Sequence, residues 1–328
     1  MKVAINGLGR IGRRLTRILL NHSDFELVSI NDIMDIQLAA HLLKYDTTYG
    51  IFNFEIQVEG AHILIGNKKI QYSQSPEIEN LPWQNLNIDI IVNCSGTNKN
   101  SPSLSKYHVF NPKHVILSSP SESESVPTII YGFNHEAYKN QVLLSNSSCT
   151  TYSIVPILDI INSHFEIEYF HFSTIHCYTN DQNLQDAAHQ DFRRARNAGQ
   201  NIVPTSTSAT KVIQKLFPNL AHKISASSYR VPVANGSITE MLFTLKNPTD
   251  YLAILDILRE VGLQKYKNVI TFTDAPIVSS DCIEMPYASV VDLNSISLTE
   301  ARFLKIVTFY DNEHGYSSML HLLMQSLK

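Results

Sequence analysis

The chain has 328 residues, of which 44% are hydrophobic and 17% charged, and this ordinary globular composition excludes a disordered or low-complexity protein. The length predicts two domains, or one large one, with ample capacity for a core. A formal net charge of −4 and an isoelectric point of about 6.3 give no support for binding nucleic acid or an anionic membrane.

Two further features bear on location. No apolar stretch reaches the roughly 18 residues of a spanning helix, and the N-terminus begins with a strand-like segment rather than a signal peptide. The four cysteines are widely scattered and form no CxxC pair, which argues against a disulfide framework or a thiol-rich metal site. We therefore expect a cytoplasmic protein that binds neither a metal nor a membrane.

The chain opens with a predicted strand, Lys2 to Asn6, that leads into the glycine-rich segment Gly7-Leu8-Gly9-Arg10-Ile11-Gly12. Apolar residues at helical spacing predict a helix over residues 13–21, and the next strand, Leu27 to Asp32, ends in an acid. Asp32 lies 32 − 12 = 20 residues beyond Gly12, as in a dinucleotide-binding fingerprint. Gly7, Gly9 and Gly12 would let the backbone approach a pyrophosphate, and Asp32 would accept hydrogen bonds from the adenosine ribose.

Two later segments, Ile88 to Gly96 and His114 to Pro120, are apolar strands that stop at small polar residues. This pattern fits a doubly wound parallel sheet with ligands at its carboxyl edge. Between them, Ile51 to Tyr72 alternates apolar and polar residues, and it predicts an antiparallel excursion outside the parallel core.

Near the midpoint, Ser145 to Thr151 surrounds one thiol, Cys149, with small polar residues before an apolar run. Such residues suit a helix start, and the positive end of the helix dipole there favours a thiolate. Cys149 is therefore a candidate nucleophile, although a buried inert cysteine explains this stretch equally well. Pro156, inside the predicted helix, should remove a hydrogen bond or kink it.

The second half carries residues suited to catalysis and anion binding. The predicted strand Phe170 to Thr179 contains His176, which could lower the pKa of Cys149 and move protons if the fold brought the two together. A basic loop around Arg194 is followed by the hydroxyl-rich segment Pro204 to Thr210. With Arg230, these groups could bind phosphate oxygens, although solvated loops have the same composition.

The remaining elements complete the second half. Ser237 to Leu245 and Phe303 to Tyr310 alternate in character and predict long antiparallel strands of one broad sheet. Ser317 to Leu327 predicts an amphipathic helix that returns to the first domain.

Six runs in this order resemble the successive signatures of phosphorylating glyceraldehyde-3-phosphate dehydrogenase, and they extend from one end of the chain to the other. They are INGLGRIGR (5–13), SNSSCTT (145–151), HCYTNDQ (176–182), RRARNAGQNIVPTST (193–207), RVPVANGS (230–237) and YDNEHGYS (310–317). The resemblance implies a Rossmann-type α/β domain of residues 1–148 and 312–328. It implies an α+β catalytic domain of residues 149–311 with a large, mostly antiparallel sheet, and assembly as a homotetramer.

The resemblance also implies a reaction and a set of residues. Cys149 would attack glyceraldehyde 3-phosphate and His176 would act as its base, with hydride transfer to NAD and cleavage of the thioester by inorganic phosphate. Cofactor binding is assigned to Gly7, Gly9, Arg10, Ile11, Gly12, Asp32, Ser118, Asn312 and Tyr316. Substrate and phosphate binding is assigned to Ser148, Cys149, Thr150, Thr179, Arg194, Thr207, Ser208 and Arg230.

Several positions depart from the family pattern. Serine replaces the usual glycine at Ser208, and Tyr152 and Ser153 replace Asn and Cys behind the nucleophile. The adenine-side residues Thr97 to Lys99 and Gln74 to Ser75 are unusual, and Ala187-Ala188 replaces the Leu-Pro common in NAD-specific members. Asp32 opposes a 2′-phosphate by charge, which favours NAD and leaves dual use of NADP open.

Two alternatives stay open at this point. Erythrose-4-phosphate dehydrogenase uses the same thiol and histidine chemistry, but retention of the HCYT and PTST segments favours glyceraldehyde 3-phosphate. The second alternative is a weakly catalytic family member that binds nucleotides or partners. The intact Cys149 and His176 argue against this alternative, whereas the altered cofactor contacts argue for it.

Overall fold

The structure is a computed structural model that describes residues 1–137 and 140–328. The chain divides into two compact units, one of Met1–Ser148 with Ser317–Lys328 and one of Cys149–Tyr316. In the described ranges, no helix is both long enough and apolar enough to cross a membrane.

The first unit alternates strands and helices over most of its length. Its strands are β1 (Lys2–Asn6), β2 (Glu26–Asn31), β3 (Tyr45–Asp46), β4 (Gly50–Ile51), β5 (Ile56–Glu59), β6 (His62–Ile65), β7 (Lys68–Ser73), β8 (Ile90–Asn93), β9 (His114–Leu117) and β10 (Leu143–Ser145). Its helices are α1 (Arg10–Asn21), α2 (Ile36–Lys44) and α3 (Ser101–Ser105), and a further helix, α7 (His314–Ser326), enters it at Ser317.

Eight of these strands form one sheet in the order β10-β9-β8-β1-β2-β7-β6-β5. The pairs from β10 to β7 are parallel, so the carboxyl ends of β1, β2, β8, β9 and β10 lie at one edge. Fully buried strands such as Ile90–Asn93 account for the continuous apolar runs in the sequence. The predicted doubly wound sheet is confirmed.

The prediction for Ile51 to Tyr72 is wrong in one respect. The hairpins β5-β6 and β6-β7 are antiparallel, as expected, but β7 pairs parallel with β2 and so extends the main sheet. Alternation along a strand reports which face is buried, whereas the choice of neighbouring strand depends on residues far away in the chain. The excursion is therefore the antiparallel edge of the parallel sheet.

The C-terminal helix belongs to the core of this first unit. Leu320, Leu323 and Met324 are fully buried in the same apolar cluster as Val3, Leu15 and other residues of β1 and α1. The spacing of these positions places one stripe of α7 against the cluster. The helix expected over residues 317–327 is thus present, and it starts three residues earlier.

The second unit contains α4 (Cys149–His164), α5 (Ala209–Leu216), α6 (Tyr251–Gln264) and the start of α7. Its strands are β11 (Ile167–Cys177), β12 (Val203–Thr205), β13 (Ile224–Val231), β14 (Ser237–Leu245), β15 (Ile270–Thr273), β16 (Ser289–Thr299) and β17 (Phe303–Tyr310). They form a seven-stranded sheet in the order β12-β13-β11-β14-β17-β16-β15. Most of its pairs are antiparallel, and β14 and β17 have the predicted bounds.

Helix α4 begins at Cys149 and continues through Pro156 to His164. Ile154, Val155, Ile157 and Leu158 around the proline have no solvent exposure. Pro156 cannot donate a backbone hydrogen bond, so the burial of its apolar neighbours must compensate for the hydrogen bond that the helix lacks there.

The glycine loop between β1 and α1 is held by backbone packing. Gly7 has a φ of 99°, in the region that favours glycine, and a Cβ there would lie 2.4 Å from the Ser95 nitrogen. A Cβ at Gly12 would lie 1.9 Å from the Gly7 carbonyl oxygen, whereas a Cβ at Gly9 would meet nothing within 4 Å. Two glycines are therefore required by the loop itself, and Gly9 leaves open space.

This difference gives a direct test of the loop. Gly12→Ala should lower the free energy of unfolding by about 2 kcal/mol, because the methyl group overlaps a backbone carbonyl that cannot move freely. Helix propensity alone predicts the opposite sign, a gain of up to about 1 kcal/mol. Gly9→Ala, the matched control, should stay within about 0.5 kcal/mol of the native chain. Urea denaturation measures all three, and a stabilised Gly12→Ala variant would contradict the packing described here.

Candidate active site

Cys149 is the first residue of α4, where the backbone N–H groups have no partner within the helix. It is partly accessible to solvent. The backbone N–H groups of Cys149 and Thr150 and the Thr150 hydroxyl all favour the thiolate. The helix start predicted from small polar residues is thus the place where the thiol lies.

His176 lies on the buried face of β11, and its Nε2 is 3.5 Å from the Cys149 Sγ. On the other side, β11 pairs in parallel with β13, and the register places Arg230 directly across from His176. The Arg230 Nη1 lies 2.6 Å from the His176 Nδ1 and 3.0 Å from the Cys177 carbonyl oxygen. The second unit therefore places the imidazole of His176 between the thiol of Cys149 and the guanidinium of Arg230.

The two neighbours of Nδ1 favour opposite tautomers of His176. Nδ1 lies 2.7 Å from the Cys177 carbonyl oxygen, which can only accept, and 2.6 Å from the Arg230 Nη1, which can only donate. The Arg230 guanidinium also donates to the Cys177 carbonyl oxygen. With the hydrogen on Nδ1, the lone pair of Nε2 faces the Cys149 thiol, which is the arrangement of a base beside a nucleophile.

The charge states of this pair are governed first by burial. Desolvation raises the pKa of the Cys149 thiol, and the positive charge of Arg230 opposes part of that rise. Desolvation and then the charge of Arg230 lower the pKa of His176 to about 3, against the hydrogen bond to the Cys177 carbonyl. Both shifts favour the neutral forms of the pair, a thiol and an uncharged imidazole.

The unusual residues behind the nucleophile are accommodated by packing and hydroxyl contacts. Tyr152 is fully buried, with its ring edge-on to Tyr316 at 6.2 Å between centroids. The Ser153 hydroxyl donates to the Thr150 carbonyl at 2.9 Å and lies 2.8 Å from the Thr239 hydroxyl. The Thr150 hydroxyl in turn lies 3.2 Å from the Tyr310 hydroxyl. Ser153 thus ties the first turn of α4 to β14.

Arg194 is engaged within its own loop. Its guanidinium donates to Asp181 at 2.6 Å, to the Thr205 hydroxyl at 2.8 Å and to the Ser206 carbonyl at 3.3 Å. The Thr179 carbonyl accepts the backbone N–H of Gln182. Of the predicted phosphate residues, Arg230 contacts His176 directly, whereas Arg194 links the loop after β11 to the segment before α5.

That segment tolerates the serine that replaces the usual glycine. Ser208, at the start of α5, has φ −72° and ψ −15°, which any residue adopts without strain. The Thr207 hydroxyl accepts the Ala209 N–H at 3.2 Å, one of the N–H groups without a partner inside the helix. Ser208 therefore changes the side chain exposed in this loop without a cost in backbone conformation.

Asn312 and Tyr316 are both buried in the second unit, at 7% and 4% exposure. The Asn312 Oδ1 accepts from Cys177, Gly236 and Ser237, all residues that the sequence analysis assigned no role. The only sequence signal for Cys177, Gly236 and Ser237 is that they lie in the HCYTNDQ and RVPVANGS runs.

In the first unit, the predicted cofactor residues lie around the glycine loop. Asp32 accepts the backbone N–H of Leu8 with one carboxylate oxygen and that of Met34 with the other, which leaves lone pairs for ribose hydroxyls. The Arg10 side chain points elsewhere, because it pairs with Asp46. Ser118 donates its N–H to the Asn93 carbonyl at the same sheet edge, and Ser148 is half-buried just before α4.

These groups fit a dinucleotide. Arg10, Ile11 and Gly12 form the first turn of α1, where N–H groups suit a pyrophosphate, and the space beside Gly9 admits its close approach. In the described part of the chain, no group of three His, Cys, Asp or Glu side chains could hold a metal ion.

Comparison with known proteins places both halves in one family. Residues 1–101 match the model of the glyceraldehyde 3-phosphate dehydrogenase NAD binding domain, and residues 148–312 match that of its C-terminal domain. The chain belongs to the glyceraldehyde-3-phosphate dehydrogenase family.

Curated members of the family support this along the whole length. The chain is 38% identical to glyceraldehyde-3-phosphate dehydrogenase of Mycobacterium avium, over 98% of this chain and 96% of that protein. It is 37% identical to that of Borreliella burgdorferi, over 100% and 99%. Glyceraldehyde-3-phosphate dehydrogenase 1 of Bacillus cereus is 35% identical, over 97% and 95%. This family member is an NAD-dependent oxidoreductase.

The lowered pKa of His176 predicts a specific acid sensitivity. Below pH 6.5 His176 takes up a proton in the unfolded chain, whereas in the folded chain it stays neutral down to about pH 3. The free energy of unfolding therefore falls as the pH falls from 6.5 to about 3. Between pH 7 and pH 5 the native chain should therefore lose about 2 kcal/mol more free energy of unfolding than His176→Asn. Urea denaturation at both pH values measures this. An equal loss in the two proteins would mean that folded His176 is protonated in its ordinary range.

Proposed function

We propose that this enzyme oxidises glyceraldehyde 3-phosphate to 1,3-bisphosphoglycerate with NAD and inorganic phosphate, through a thiohemiacetal and a thioester on Cys149. The observation that carries the proposal is the 3.5 Å contact between the Cys149 Sγ and the Nε2 of His176, whose other ring nitrogen lies 2.6 Å from the Arg230 guanidinium. A partner-binding family member would have no need of this alignment, so it also argues against a weakly catalytic role.

In the first step, the Cys149 sulfur adds to the aldehyde carbon while its proton passes to the Nε2 of His176. The proton then goes to the former carbonyl oxygen, which gives the thiohemiacetal. The N–H groups at the start of α4 and the charge of Arg230 stabilise the negative charge that develops on sulfur.

In the second step, His176 takes the hydroxyl proton of the thiohemiacetal as the C–H bond gives up its hydride. NAD, when bound, supplies the acceptor for that hydride. Residues that would hold it are those of the glycine loop with Asp32 and Ser118, and Asn312 with Tyr316. A phosphate oxygen then attacks the thioester carbon, and the Cys149 thiolate leaves.

Binding of the substrate phosphate at Arg230 and Thr179 would change the base. Arg230 is one of the two causes that lower the pKa of His176, and an anion paired with the guanidinium would reduce that effect. The substrate would thereby raise the basicity of the imidazole that deprotonates its target thiol. Ser148, Thr150, Arg194, Thr207 and Ser208 are the proposed positions for the substrate and the attacking phosphate.

The assembly and location are part of the same proposal. We infer residues 1–148 and 312–328 as the NAD domain, residues 149–311 as the catalytic domain, and a cytoplasmic homotetramer. Large apolar side chains stay exposed on the second unit, among them Tyr169 at 61% and Phe192 at 89%, and another copy would cover such surface. The described cysteines are all free thiols, which fits a reducing compartment.

The decisive assay is NADH formation with and without phosphate. With glyceraldehyde 3-phosphate and NAD, steady turnover should require inorganic phosphate or arsenate and should fall at least about 100-fold without either, because the thioester then has no efficient acceptor. Erythrose 4-phosphate and NADP, tested in parallel, should be poorer partners. Equal turnover without phosphate would contradict the phosphorylating reaction, and faster turnover of erythrose 4-phosphate would favour the alternative substrate.

A further inference from the structure

The carboxamide of Asn312 is held by three donors that converge on one atom. Its Oδ1 lies 3.1 Å from the Cys177 Sγ, 3.2 Å from the Gly236 nitrogen and 3.2 Å from the Ser237 Oγ. An amide nitrogen cannot accept a hydrogen bond, so a flipped carboxamide would point its own hydrogens at these donors. The three contacts therefore determine which end of the carboxamide faces inward.

The other end of the same side chain is left open. Asn312 is 7% exposed, and among the described contacts its Nδ2 has no hydrogen-bond partner. Nδ2 is accessible, so it can donate to an acceptor that binds there. The orientation thus suits a ligand that presents a carbonyl oxygen to Nδ2.

Cys177 connects this carboxamide to the catalytic base. Its carbonyl oxygen lies 2.7 Å from the His176 Nδ1, its N–H donates to the Ser237 Oγ at 3.3 Å, and its thiol donates to the Asn312 Oδ1. Ser237 accepts from the Cys177 N–H and so has its own hydrogen free to donate to Asn312. Burial also raises the pKa of the Cys177 thiol to about 12, which keeps its hydrogen in place.

We propose that the Cys177 thiol is a positioning residue, which acts with Ser237 to fix the Asn312 carboxamide so that Nδ2 donates to the carbonyl oxygen of the cofactor's ring carboxamide. The inference rests on the proposed function only in taking Asn312 as the residue that meets the nicotinamide. It assigns to Cys177 a role in cofactor recognition separate from the nucleophile, at a thiol 1% exposed.

Two dinucleotides distinguish the two orientations of Asn312. NAD carries a carboxamide, whereas 3-acetylpyridine adenine dinucleotide keeps the carbonyl oxygen and lacks the NH₂ group. If Nδ2 faces outward, it can donate to the carbonyl oxygen of either ligand. If Oδ1 faces outward, it can accept only from the NH₂ group of NAD, and it repels the acetyl oxygen. The readout is the ratio of their dissociation constants by isothermal titration calorimetry, which requires no turnover.

Removal of the fixing donors should change that ratio. In Cys177→Ala, and more fully in Cys177→Ala with Ser237→Ala, the ratio should shift in favour of NAD by up to about twofold, because a carboxamide that is free to rotate presents Nδ2 only about half of the time. Cys177→Ser restores a donor and should keep the native ratio. Cys282→Ala, which removes another buried thiol of the same unit that packs on Val290 and Phe309, is the matched control and should also retain it.

The outcomes separate the two proposals. A native ratio in both Cys177→Ala and the double variant contradicts the positioning role, even if both dissociation constants weaken together. If the double variant does not fold, a native ratio in Cys177→Ala alone contradicts the positioning role. Failure of the native enzyme to turn over glyceraldehyde 3-phosphate, with the binding ratios shifting as expected, contradicts the proposed function alone.

Discussion

The pairing of β11 with β13 is the constraint on which the arrangement of His176 and Arg230 depends. Its parallel register sets Arg230 across from His176, and the backbone carbonyl oxygen of Cys177 at the end of β11 lies within hydrogen-bond distance of both side chains. One carbonyl oxygen thereby holds the imidazole that we propose as the base and the guanidinium that we propose for the substrate phosphate. A slip of one residue would turn His176 away from the thiol, so the whole site relies on the sheet behind it.

Burial and charge act against each other at Cys149. Desolvation disfavours both the thiolate of Cys149 and the imidazolium of His176, while Arg230 favours the former and disfavours the latter. The pair therefore rests in its neutral form. An anionic substrate that binds Arg230 would alter this balance at the moment the reaction begins, which couples substrate binding to activation of the base.

Much of this could be predicted from the sequence, and the limits have a physical cause. Periodicity and glycine spacing were enough for β1, the glycine loop and α1, and alternation defined β14 and β17 to the residue. These are local signals. Non-local pairing was not predictable, as in the addition of β7 to the main sheet or the engagement of Arg10 by Asp46. The contact of Cys177 with Asn312, 135 residues apart, is of the same kind. The sequence named Asn312, but only the fold shows what holds it.

The central claim is that Cys149 carries the acyl group between oxidation and phosphorolysis. The most direct test is to mix the enzyme with glyceraldehyde 3-phosphate and NAD without phosphate, quench in acid, and map the modified peptide by mass spectrometry. The account predicts about one NADH per active site in a burst, and a phosphoglyceroyl group on Cys149 that disappears when phosphate is added before the quench. An acyl group on Cys94, Cys177 or Cys282, or a burst without any acylated cysteine, would contradict it.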